Sequence, residues 1–279
     1  MNSNGPDTFV TESLAAGLAR QAIREWRDRV ERTQPRLMEL ARRKFSTSKG
    51  VARTARELNN LLAPLAFHSV VHEFKRAGTY QASFLPKLRD IDGIEHLAVV
   101  LRVFAVNLDG LQLCRERPLA FIHPHALARM FLRMQTTALA DVRKQIGSSL
   151  RFYPPIADAC AVLRLQQIVI PTAQGYFRCD VRLDSSEFPG LLAKTWIGEK
   201  TMGHRDLGVL ESIVNAAAEW NGHATHDELS RMSVPMKAPE TLVAQMADAL
   251  RTHAWLTEPY EERPDYLSAI WEAARRQAG

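Results

Sequence analysis

The stretch LAVVLRVFAVNLDGLQLCRE, residues 97–116, constrains the fold more tightly than any other. It is dense in β-branched and apolar residues on both sides of Asp109-Gly110, a dipeptide favoured where two antiparallel strands join in a tight turn. Strands are therefore expected near 97–107 and 111–116. A short one is expected at 119–122, and further candidates are AVLRLQQIVI, GYFRCDVRL and LLAKTWI. The connections Pro171 to Gly175 and Asp184 to Gly190 are rich in Pro, Gly, Ser and Asp, as turns should be. Together these place a sheet between about residues 97 and 197.

The flanks follow a different period. Leu14, Leu18, Ala22, Trp26 and Val30 recur every four residues with arginines mostly off the stripe, so Thr11 to about Lys44 reads as amphipathic helix. Pro35 is expected to start a second helix, because proline is tolerated in a first turn and not in an interior. After a break at STSKG, residues 46–50, helix is expected to continue to Gly78. Beyond Gly203, Leu207, Leu210, Ile213, Val214 and Ala217 form a helical stripe that stops at Asn221-Gly222. Thr225 with Glu228 fits a capping box, and Pro239 and Pro264 open further helices. The expected fold class is α+β: a central antiparallel sheet with packed helices, flanked by helical N- and C-terminal regions. The boundaries are 1–90 for the basic helical region, 91–203 for the α+β centre and 204–279 for the helical end.

Charge narrows the partners. The formal net charge is +5, and residues 1–60 hold 12 Lys and Arg against 7 Asp and Glu, so 12 − 7 = +5 lies there. A basic excess of this kind suits a polyanion such as nucleic acid, with an acidic protein partner as the alternative. No apolar run approaches the ~18–20 residues that span a bilayer, and MNSNGPDTF lacks the pattern of an export signal, so a cytoplasmic chain without a membrane partner is expected. The cysteines Cys114, Cys160 and Cys179 are odd in number and lack C-x-x-C spacing, which reads as reduced thiols. His223 and His226, with His204 as a candidate third member, have H-x-x-H spacing but no third ligand fixed by it, so a loop is the simpler reading and no metal is assigned. No phosphate-binding or dinucleotide glycine motif is present, and no cofactor is expected. Asp90 and Asp92 read as turn residues. Trp196, Trp220, Trp255 and Trp271 read as core; Trp26 suits either core or a partner surface.

HPHALARMFLRM, residues 123–134, is the segment that carries chemistry. On a helix, His125, Arg129 and Arg133 share one side at i, i+4 and i+8, with Leu127, Met130, Phe131 and Met134 opposite. Leu132 falls on the basic side, which points to partial cover there. The plain reading is a surface helix with solvated arginines. The sharper one uses the partial positive charge of a helix start, which disfavours an imidazolium and welcomes an anion. His123 and His125 are then neutral bases, while Arg129 and Arg133 hold a phosphate.

This segment resembles the ribonuclease-toxin group that includes barnase, colicin-type tRNA nucleases and RelE-like toxins. In that group a helix beginning His-Ala-x-x-Arg precedes antiparallel strands, one of them ending in a Thr-Trp or Thr-Tyr pair. The matching pieces are HALARMFLR, LRLQQIVI, GYFRCDV and AKTWI. The resemblance implies catalytic or phosphate-contacting roles for His125, Arg129 and Arg133, with Lys194 and Thr195 lining the same cleft as substrate-binding residues; the helix-start reading adds His123 to the catalytic candidates. It also implies a metal-independent ribonuclease of the toxin–antitoxin kind. The alternative is a non-enzymatic nucleic-acid-binding or protein-interaction protein, regulatory or toxin-neutralising.

Overall fold

The computed structural model describes residues 9–74, 78–182, 190–199, 203–218 and 240–257. Helix α1 (Glu12–Ala41) is capped by Thr11, whose side chain accepts from the Leu14 N–H. The helix runs unbroken through Pro35, where a new start was expected. Pro35 and Glu31 are both exposed, so water replaces the hydrogen bond that proline cannot make and the chain does not break. The buried face is Ala15, Ala16, Ala19, Ala22, Ile23 and Trp26, one position round from the expected stripe, and Leu14 is exposed. Trp26 is thus core. Helix α2 (Ser48–Leu62) is capped by Thr47 within the expected break.

Helix does not continue to Gly78. It stops at Leu62, two residues before Pro64, and β1 (His68–Phe74) follows, paired with β2 (Gly78–Ile91). Strand pairing overrides local helix preference there: Ser69 lies opposite Ser83, with their hydroxyls 2.9 Å apart. Residues 68–74 and 78–90 of the expected helical N-terminal region therefore belong to the sheet. The turn to β3 (Ile94–Asn107) uses Asp92 and Gly93, both at positive φ, and the Asp90 carboxylate accepts from the Gly93 N–H at 2.9 Å. Both aspartates are turn residues, as expected. The hairpin to β4 (Gly110–Ile122) turns through Leu108-Asp109. Gly110, at φ 123°, is its first strand residue, where a Cβ would lie 2.9 Å from the Arg43 carbonyl.

Helices α3 (Pro124–Met134), α4 (Leu139–Ser149) and α5 (Tyr153–Leu163) come next, then β5 (Gln167–Thr172), β6 (Gly175–Arg182) and β7 (Gly190–Gly198). The first residues of AVLRLQQIVI end α5; only its second half is strand. The seven strands form one sheet in the order β1-β2-β3-β4-β7-β6-β5. Every neighbouring pair is antiparallel except β4 and β7, which run parallel over Ala120–Ile122 and Leu191–Ala193. The class is α+β as expected, built from two antiparallel meanders joined by one short parallel seam.

Helices α6 (His204–Ala216) and α7 (Glu240–Arg251) pack at the β5–β6 end. Buried Asp206 accepts from the Tyr176 hydroxyl and from Arg178 Nη2 at 2.7 and 2.8 Å, which ties α6 to β6. The main core draws side chains from Val10 to Leu256 and includes Trp196 and Trp255. Leu58, Leu85 and Phe104 centre a second cluster under α2, and Ala98, Val100, Phe121, Leu192 and Ile91 form a third. Ala98 and Val100 alternate with main-core Leu97, Val99 and Leu101, so the third cluster lies on the other face of the sheet. The expected features at His223, His226, Trp220, Trp271, Thr225, Pro239 and Pro264 lie outside the described residues, as does most of the Asp184 to Gly190 connection.

Candidate functional site

The candidate site sits where the parallel seam ends. His123 leaves β4 with its N–H bonded to the Ala193 carbonyl at 2.9 Å, which pins the start of α3 to β7. Its extended backbone makes it the N-cap of α3, with Pro124 in the first turn. The His123 imidazole takes the role usually held by Ser or Asp, since Nδ1 accepts from the His125 N–H at 3.0 Å. A neutral ring that accepts at Nδ1 carries its proton on Nε2. His123 is therefore fixed as an Nε2–H hydrogen-bond donor.

On the neighbouring strand, the β3–β4 register, in which Leu97 lies opposite Ile122, brings His96 beside it, with ring centroids 5.0 Å apart in an edge-on arrangement. His96 Nδ1 lies 2.8 Å from the Ile94 carbonyl. A carbonyl only accepts, so Nδ1 holds the proton and Nε2 keeps a lone pair. The His125 ring is 6.4 Å from His123.

Lys194 enters from β7. The β6–β7 ladder has a bulge there: Ala193 and Thr195 oppose the consecutive residues Cys179 and Arg178, leaving Lys194 as the extra residue. This breaks the alternation that would send Lys194 and Thr195 to opposite faces. The Lys194 ammonium lies 3.7 Å from Asp180 on β6, and Thr195 is buried beside it.

The electrostatics of the group follow from burial first. His96 and His125 are each 2% exposed and His123 is half-buried. Burial lowers His96 to about 4, with Lys194 and Arg182 adding repulsion and the Ile94 carbonyl opposing. It lowers His125 to about 4, helped by Arg129, Arg133 and Lys194, and His123 to about 2, helped by His96, Lys194 and His125. Asp180 moves the other way, raised by burial against the pull of Lys194 and Arg182. The three imidazoles are uncharged near neutral pH.

The helix segment has the sidedness expected of it, but the polar side is not an open face. Leu127, Met130 and Phe131 are buried opposite, while Arg129 Nε approaches His125 Nε2 at 3.5 Å and Arg129 Nη1 lies 3.9 Å from Glu12 on α1. Arg133 donates to the Trp196 carbonyl at 2.8 Å. Both arginines thus brace α3 against α1 and β7, and His125 is a buried residue between them. His123 and Lys194 come close enough for the ammonium to act on the ring. His96, Asp180 and Arg182 were not foreseen, because only strand register carries them to the α3 start. Among the described residues no group of three or more His, Cys, Asp or Glu is arranged to hold a metal ion, and His204 lies apart at the start of α6. The three cysteines are free thiols, two of them buried. No helix among the described residues is long and apolar enough to cross a membrane.

No protein-family model matches the chain, and neither curated proteins nor solved structures give a match.

Proposed function

We propose that this protein binds RNA, with a backbone phosphate seated at the start of α3 between His123 and Lys194. The observation that carries this reading is the locked tautomer of His123. Because Nδ1 is taken by the His125 N–H at 3.0 Å, the ring offers an Nε2–H donor next to an ammonium. A donor beside a cation at a helix N-terminus is a set of groups for holding an anion rather than for moving a proton. The basic N-terminal third supplies the long-range attraction such a ligand would meet.

A second reading, metal-independent cleavage of the same RNA, has one observation in its favour. His96 keeps a lone pair on Nε2 and stands edge-on to His123, so it is the base-form imidazole of the group. It would take the ribose 2′-hydroxyl proton while Lys194 meets the charge growing on the phosphorane. Its 2% exposure favours the binding reading.

One experiment addresses both. Purified protein is incubated with total RNA in EDTA, and binding is followed by anisotropy as salt is raised. Intact RNA with binding that weakens steeply with salt supports the first reading. Cleavage that disappears in His96→Gln supports the second. Absence of any RNA binding at low salt removes both.

A further inference from the structure

A second feature lies far from the α3 start. Between the second half of α1 and the turn that follows α2 is an open groove of about 640 Å³, whose polar lining is Arg29, Arg32, Arg36 and Asn60 with Thr33. Leu61 and Pro64 form an apolar floor, and no carboxylate is among the lining residues. Arg29 makes a 3.3 Å pair with Glu25 and reaches the Pro64 carbonyl at 3.4 Å. Arg32 and Arg36 are exposed and form no ion pair among the described residues; Arg32 Nε donates only to the Asp28 carbonyl.

Positive charge accumulates behind the groove as well. Arg143 donates to the Pro64 and Ala66 carbonyls at 2.9 and 2.5 Å, and its guanidinium is held below the usual arginine range by burial and by Arg29. The adjoining cavity of about 340 Å³ differs: there Arg43 is neutralised by Glu39 at 2.9 Å and by Glu57. Of the two hollows, the one along Arg29 to Arg36 is thus the one that keeps two guanidinium groups, Arg32 and Arg36, without an ion pair among the described residues. On a helix, residues three and four apart stand about 5–6 Å from each other, comparable with successive phosphates along one nucleic-acid strand. A groove between two neighbouring helices admits one strand and not a duplex. Guanidinium forks match phosphate oxygens, and the leucine–proline floor suits a ribose or base face.

We propose that this groove holds the backbone of single-stranded RNA, with Arg29, Arg32 and Arg36 on consecutive phosphates. The proposal rests on the reading that RNA is the ligand, and adds a binding point remote from the first. Arg29 lies 17 residues along α1 from Glu12, which meets Arg129, a separation of about 25 Å. A strand spanning both places is held at two points.

The test is a salt titration of full-length protein with a 5′-fluorescein oligouridylate, comparing wild type, R32A/R36A, R32K/R36K and Lys194→Met, with thermal melts as the fold control. R32A/R36A should melt like wild type and bind on the order of tenfold more weakly, with the log–log salt slope reduced by roughly 1.4, about 0.7 for each phosphate no longer neutralised. R32K/R36K should restore the slope. Wild-type affinity and slope in R32A/R36A overturn the groove, even if Lys194→Met weakens binding and so preserves the α3 site. A weakened R32A/R36A beside an unaffected Lys194→Met supports the groove and removes the α3 site instead. Wild type that binds no oligouridylate overturns both. Polyglutamate that competes as well as RNA at equal charge assigns the groove to an acidic protein and overturns RNA as its occupant.

Discussion

At the scale of single residues, the histidine group makes stability depend on pH in a defined direction. An unfolded histidine titrates near 6.5, whereas His96 and His125 titrate at about 4 in the fold, so between those values the unfolded chain binds more protons. Stability should therefore fall as pH drops from ~6.5 to ~4, with His96 alone contributing about 3 kcal/mol, and go on falling more gently below, because His123 titrates only at about 2 in the fold. Urea melts across that window should show the loss, and a flatter profile is expected for His96→Asn. An identical profile would mean that His96 is not desolvated. The α3 substitutions should divide according to what each side chain touches. Phe131→Ala should lose roughly 3–5 kcal/mol by opening a cavity. His125→Ala should lose about 1–3 kcal/mol as a buried polar residue, and Arg133→Ala about 1 kcal/mol with its bond to Trp196. Burial, not spacing, makes His125 structural. The i, i+4, i+8 arrangement was legible, but the cover supplied by α1 and β7 was not, because that packing links residues far apart in sequence.

At the scale of elements, the proline and glycine residues that punctuate the chain behave according to what surrounds them. Pro35 sits in the interior of α1 and lacks a backbone donor. Pro35→Ala should raise stability by about 2 kcal/mol, the helix gain being partly offset by a freer unfolded chain. An unchanged melting temperature would show that α1 bends at Pro35 in compensation. Gly175 opens β6 where a Cβ would lie 2.2 Å from the Ile197 carbonyl and 2.7 Å from the Trp196 ring. Gly175→Ala should lose about 3 kcal/mol, because the tryptophan is buried and cannot move aside. The hairpin at Asp109-Gly110 could be read from the dipeptide alone. The strand at His68–Phe74 could not, since what creates it is a partner strand and not a local pattern.

At the scale of the molecule, the basic N-terminal third is not an appendage. Ala15, Ala19, Ile23 and Trp26 belong to the same core as Phe177 on β6 and Leu250 on α7. Deleting residues 1–50 should abolish cooperative unfolding in circular dichroism melts rather than simply weaken RNA binding. A truncated chain that still melts cooperatively would show that α1 is dispensable to the core. Charge substitutions at Arg32 and Arg36 isolate the electrostatic contribution without that loss, because both side chains are exposed.

The sequence by itself determined the α+β class, the hairpin at 107–110, the period of the helices and the amphipathic character of α3. Each of these is a local property, set by neighbours within a turn or two of chain. The tertiary structure alone decided that His96 joins His123, that Lys194 meets Asp180, that Arg129 and Arg133 brace α3, and that Arg29, Arg32 and Arg36 face a groove. Those outcomes depend on strand register and helix docking, which bring together residues 27 to 98 positions apart in the cases of His96 with His123 and His96 with Lys194. Pairing across such separations is fixed by the burial of the whole sheet, and no short stretch of the chain encodes it.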